Sequence, residues 1–340
     1  MTNDPARIQS GRSADPLLIG MLFFMIMILA AVLGMGIALG VSGLPARRAL
    51  NLLIFPDGSP ESALIWDVRL PRAILATLVG ANLAIAGALI QALTRNPLAS
   101  PQTFGINAGA SLAIVISLIA FPAIRYAGTV WPAFVGAAAV GIVMWVLTTS
   151  GRMNDQKIAL AGVSIHIVLA ALVQAVLIAN NSAADIVYWL AGSLNGAQWT
   201  KVWIILPFTL IGGGLALLAS RHFGVLALNH ATGVSLGQDA RRVGSLAAVL
   251  TVVLAGSAVA VSGPIGFIGL LVPHIVRRLA GGDQTRVLVL SAIAGPLLLS
   301  IADLLARVLA FPAELPVGTV TALIGAPAFL VILLNGRKPR

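Results

Sequence analysis

Long apolar runs separated by short polar breaks fill the chain between a polar opening stretch, residues 1–16, and a basic tail, residues 335–340. Crossing the hydrocarbon core of a bilayer takes about 20 apolar residues per helix. Ten runs of that kind occur, Leu17 to Val41, Ala73 to Leu93, Phe104 to Pro122, Val130 to Thr149, Ile158 to Ala179, Val202 to Ala219, Val243 to Val261, Pro264 to Val276, Val287 to Leu309 and Val317 to Leu334. The pattern predicts an all-α polytopic membrane protein with one transmembrane domain over residues 17–334. The eighth run is short, and Gly263-Pro264-Ile265-Gly266 and Pro273 punctuate it. A broken segment at membrane depth is tolerated only where protein or a cavity covers it, so this run is expected at the centre of the bundle. The second and fourth runs are rich in small residues, among them Gly80, Ala84, Gly87, Gly136 and Gly141. Such faces let helix backbones approach closely where lipid offers no hydrophobic drive to associate.

Composition agrees: 59% of residues are hydrophobic and 9% charged, far from the usual mix of soluble domains. No polar stretch between runs is long enough to bury a core of its own. The net charge of +10 comes from basic residues scattered between the runs, which does not make the basic stripe of a nucleic-acid binder. Topology accounts for it better. Ten spans put both termini on one side, and placing them inside leaves fourteen of the 21 Lys and Arg residues in the cytoplasm and seven outside, as the positive-inside rule requires. The first run, some 25 residues long, exceeds the core of a cleaved signal peptide and reads as a retained span. The absence of cysteine excludes disulfides and thiolate metal sites on this chain. No cluster of His, Asp and Glu has ligand spacing, so direct capture of a bare metal ion is not expected.

Polar features carry the candidate chemistry. Between the second and third runs stands Arg95-Asn96-Pro97-Leu98-Ala99-Ser100-Pro101. Pro97 forces Asn96 out of the helical region and Pro101 does the same to Ser100, which predicts a rigid polar corner. A plain tight connection is the alternative. Arg69-Leu70-Pro71-Arg72 and Arg307 fall on the outer face, against the topological bias. They either snorkel to headgroups or pair with carboxylates of an acidic partner. Asp303 lies one turn from Arg307 and competes for it. Residues 221–242 form a long polar connection containing Leu228 to Gly237, either short helices lying on another protein or a solvated loop. His166 sits inside a span as a packing residue or a ligand, and Asn82, Gln91, Asn107 and Gln174 are candidates for a polar path.

The corner, the Gly263 to Leu270 segment, Pro273-His274 with Arg277, Ala302-Asp303, Glu314-Leu315-Pro316-Val317-Gly318 and Gly325-Ala326-Pro327 together resemble the FecCD-like permease family of ABC importers for ferric siderophores, haem and cobalamin. The resemblance spans residues 64–334. It implies a type II importer permease fold and alternating access. It also implies two ATPase subunits that bind ATP and Mg, a second permease copy, identical or paralogous, and a soluble substrate-binding protein. This chain would bind no cofactor. By resemblance Arg69, Arg72 and Arg307 receive glutamates of the binding protein, and Asn96, Pro97 and Leu98 form a cytoplasmic gate. A second constriction lies before Leu160-Ala161-Gly162-Val163, where relatives carry small hydroxyl residues and this chain has Asn154, Asp155 and Gln156. Ala231, Thr232, Gly233, Leu236 and Gly237 match the region that couples to the ATPase.

Tyr188 to Leu194 and Ala310-Phe311-Pro312 look most like ferric-citrate and siderophore members, with haem and cobalamin open. The metal would travel inside its chelator, through a bacterial plasma or inner membrane. Two other classes fit less well. An ion-coupled transporter or channel needs carboxylates within its spans, and Asp303 alone approaches that. An intramembrane enzyme needs a catalytic set, and neither His-Glu-x-x-His nor a phosphate-binding Gly-x-x-x-x-Gly-Lys-Ser/Thr loop occurs.

Overall fold

A computed structural model describes residues 16–38, 44–121, 126–149, 155–180, 184–226 and 240–335. Among the described residues there is no strand. The helices are α1 (Pro16–Ala38), α2 (Ala46–Ile54), α3 (Pro60–Thr94), α4 (Ile106–Ala120), α5 (Val130–Thr149), α6 (Asp155–Ala179), α7 (Ala184–Leu190), α8 (Trp199–Leu218), α9 (Ser220–Leu226), α10 (Ala240–Ser262), α11 (Ile268–Ala280), α12 (Gln284–Val308) and α13 (Val317–Asn335). A helix stands at each of the ten apolar runs, and seven of the helices are individually long and apolar enough to cross a membrane. Helices α4, α11 and the apolar part of α13 are shorter and complete the same bundle. Three short helices, α2, α7 and α9, have no counterpart among the expected spans.

Helix α3 is the axis of the molecule: 83% of its apolar window is buried, against 6% for α1 and 11% for α6. It packs most extensively on α12, then on α10 and α11. Glycine makes those contacts possible. A Cβ on Gly80 would lie 2.6 Å from the carbonyl oxygen of Gly295, and Gly87 meets Gly269 of α11 more tightly still. A second close crossing joins α4 to α5, where a Cβ on Gly109 would lie 2.5 Å from Gly136 O. Backbone contact of this kind supplies the dispersion energy that holds helices together in lipid.

The short eighth segment is central, as its punctuation predicts. Residues 263–267 run without helix, Phe267 takes φ 66° as the residue before α11, and α11 then buries Ile268 to Pro273 against its neighbours. It starts four residues later than the apolar run, because Gly263-Pro264-Ile265-Gly266 holds the chain out of helical geometry. The α3 helix also departs from expectation. It begins thirteen residues before the apolar run, at Pro60, and passes through a π-helical turn at Leu64–Arg69, so Arg69 ends that turn and Arg72 lies in the first α-helical turn after it.

Candidate functional site

The Leu70–Thr94 part of α3 has 25 residues, about 37 Å at 1.5 Å per residue, and a polar assembly stands at each end. At its start three arginines converge. Arg69 donates from Nη1 to the carbonyls of Ile37 at 2.6 Å and Ala38 at 3.1 Å, and Arg307 donates from Nη1 to Gly36 O at 2.8 Å. These carbonyls end α1, where a helix presents unsatisfied acceptors and the negative pole of its dipole. Arg72 donates to Asp303 Oδ1 from Nε at 3.0 Å and from Nη2 at 2.9 Å, and from Nη1 to Glu314 Oε2 at 2.7 Å. The other Asp303 oxygen pairs with Nη2 of Arg307. One carboxylate therefore ties α3 to α12, and the two arginines beside it tie both to α1.

All three arginines are buried, Arg69 at 5%, Arg72 at 9% and Arg307 at 8% exposure. Their guanidiniums are paired within the chain, to carboxylates of α12 and the loop after it and to carbonyls of α1. The Asp303–Arg307 pair anticipated from their i,i+4 spacing is present. Asp303 and Glu314 hold Arg72, and Asp303 also holds Arg307; the Glu314 contact was missed because its partner Arg72 is 242 residues away. The backbone of Glu314 is anchored separately: its carbonyl accepts from Tyr188 Oη at 3.0 Å, and the following Leu315 N–H donates to Ala306 O at 3.1 Å. Asn195 in turn donates to Tyr188 Oη at 2.9 Å.

The corner occupies the other end of α3. Its helix stops at Thr94 because Arg95 turns left-handed, φ 50°, and Asn96 N–H donates back to Gln91 O at 3.2 Å. Asn96 Oδ1 accepts from Leu98 N–H at 2.9 Å, an Asx turn across Pro97. Ser100 and Thr103 then bond reciprocally through side chain and backbone, and Gly105 at φ +75° opens α4. Arg95 Nε fastens the corner to Leu226 O of α9 at 2.9 Å. These bonds hold the corner in a defined turn, with Pro97 and Leu98 on the surface and Asn96 half-buried.

The far side of the corner packs on α6: a Cβ on Gly162 would lie 2.7 Å from Thr103 O, and one on Gly105 would lie 3.1 Å from the Ile165 side chain. The structure thus brings the Asn96–Leu98 segment and the first two turns of α6 to the same end of the bundle. Asp155 and Gln156 begin that helix, and their side chains lie outside the described residues, as do Asn154 and all of Ala231, Thr232, Gly233, Leu236 and Gly237. The polar-path candidates divide. Asn82 is fully buried and donates to Ser257 Oγ of α10 at 3.1 Å, and Gln91 donates to Leu270 O of α11 at 3.2 Å. Those two, with buried Asn107, lie among packed helices, whereas Gln174 is exposed on α6. His166 is half-buried on α6 with no hydrogen bond at Nδ1. No group of three or more His, Asp or Glu residues able to hold a metal occurs among the described residues.

Known proteins resemble this chain in sequence and in fold. The model of the FecCD transport family matches residues 19–335. The Fe(3+)-citrate import system permease protein YfmD of Bacillus subtilis (strain 168) is 46% identical over 320 residues, 94% of this chain and 96% of that protein. The Fe(3+) dicitrate transport system permease protein FecC of Escherichia coli (strain K12) is 40% identical over 303 residues, 86% of this chain and 89% of that one. Among solved structures, one described as an inward-facing conformation of a metal-chelate type ABC transporter superposes with a TM-score of 0.81 at 26% identity, covering 93% of this chain and 99% of the other. With the family pattern matched from the first span to the end of the last, the chain belongs to the FecCD transport family.

Proposed function

We propose that the chain is the membrane permease of an ATP-driven importer and carries an iron(III) chelate, of the citrate or siderophore class, into a bacterial cytoplasm. The observation that carries this reading is near-full-length likeness to ferric-citrate permeases from two bacteria. Two ATPase subunits supply the ATP and Mg chemistry, and a second permease copy completes the path. Both termini lie in the cytoplasm, so the arginine end of α3 faces outward and the corner faces the ATPase. A substrate-binding protein docks at Arg69, Arg72 and Arg307. Asn96, Pro97 and Leu98, with Asp155 and Gln156 at the base of α6, gate the inner end, and Ala231, Thr232, Gly233, Leu236 and Gly237 receive the ATPase. Asp303, held by two arginines, is a poor carrier for a coupling ion, which weighs against an ion-driven transporter.

Uptake of radiolabelled iron into vesicles tests the proposal, with the metal supplied as citrate and as a hydroxamate chelate. Uptake that requires ATP, the ATPase and the binding protein together is the expected result. Uptake by this chain alone under an ion gradient would overturn it.

A further inference from the structure

The two carboxylates that hold Arg72 are not equivalent. Asp303 is sealed, with 4% of its side chain exposed, and grips Nε and Nη2; Glu314 keeps 23% of its side chain exposed and takes only Nη1. Because Asp303 fixes the guanidinium plane by two bonds, Arg72 stays aimed when Glu314 leaves. Because Tyr188 and Ala306 both hold the peptide group that follows Glu314, the Glu314 carboxylate can swing out without releasing the loop between α12 and α13.

We infer that Glu314 is an internal stand-in for an incoming carboxylate: an acidic residue of the docked binding protein displaces it from Nη1 of Arg72. The inference rests on the docking role proposed above for the arginines. The exchange suits a buried cation. An unpaired guanidinium in a desolvated site is costly, and swapping one carboxylate for another keeps Arg72 neutralised in both the docked and the free state. Glu314 also lowers the pull of the cluster on acidic surfaces, since it cancels one of the positive charges of Arg69, Arg72 and Arg307. Docking is therefore weaker, and release easier, than three bare arginines would make it.

The test is the affinity of the cognate substrate-binding protein for the permease–ATPase complex in nanodiscs, at low and high salt, for wild type, Glu314→Gln, Glu314→Ala, Arg72→Gln and Arg307→Gln. Co-purification of the ATPase serves as the folding control. Removing the Glu314 charge is expected to tighten binding on the order of tenfold at low salt and to steepen its salt dependence, while the arginine variants weaken it. Unchanged or weaker binding in both Glu314 variants, with the arginine variants also weakened, would sink the stand-in role and leave arginine docking intact. Binding indifferent to all four substitutions would remove the docking reading and the inference with it.

Discussion

Arg48 and Arg72 share an ionic motif, one guanidinium between two carboxylates, in opposite surroundings. Arg48 bonds Asp57 at 2.6 Å and Glu61 at 3.1 Å, with 43% of its side chain exposed. Arg72 bonds Asp303 at 2.9 Å and Glu314 at 2.7 Å, with 11% of its side chain exposed. Distances barely differ, yet the consequences do. An exposed pair exchanges protein contacts for equally good water contacts and is screened by salt. A buried pair has no such alternative, so losing one partner leaves the other stranded. Contact geometry alone does not rank these motifs; the medium does.

The largest expected effect comes from Asp303→Ala, which removes the buried carboxylate that Arg72 and Arg307 share. The cost is about 3–5 kcal/mol, read as a steep loss of monodisperse protein and of thermal midpoint in detergent. A midpoint equal to wild type would break the comparison. Arg307→Ala comes next. It forfeits the bond to Gly36 O and the pair with Asp303, but Asp303 stays bidentate on Arg72, so the loss is about 1–3 kcal/mol, measured by the same thermal assay. The smallest effect falls on Arg48→Ala, for which no change in thermal midpoint is expected at physiological salt. Acid sharpens the point. Hydrogen bonds from Ser59, and then Arg48, hold the Asp57 carboxyl below its ordinary value. Its small contribution is thus present at neutral pH and is lost only as pH falls through that lowered value. A thermal midpoint at neutral pH that depends on Asp57 would contradict the ranking.

What the sequence could show follows from the range of each interaction. Ten helices were legible because lipid demands long apolar runs, and the corner was legible because Pro97, Pro101 and Asn96 act within a few residues of themselves. The Asp303–Arg307 pair was legible from helical spacing. The link from Arg72 to Glu314, and the capping of α1 by Arg69 and Arg307, join segments far apart in the chain and left no local trace. Asn82 and Gln91 misled for a related reason: a polar residue in a span can serve a path or a helix contact, and periodicity does not say which side it faces. Helix α2 was missed because nine residues are too few to stand out beside spans of twenty.

The glycine notches of α3 have a mechanical meaning. Gly80 seats on Gly295 of α12 and Gly87 on Gly269 of α11, about 10 Å apart along the axis. An axial slip would carry a methyl group or something larger into each notch, where even one added carbon overlaps the opposing backbone. Tilting about the notches moves no side chain into them. Held against two neighbours in this way, α3 is braced against sliding along its axis, between the arginines at one end and the corner about 37 Å away at the other.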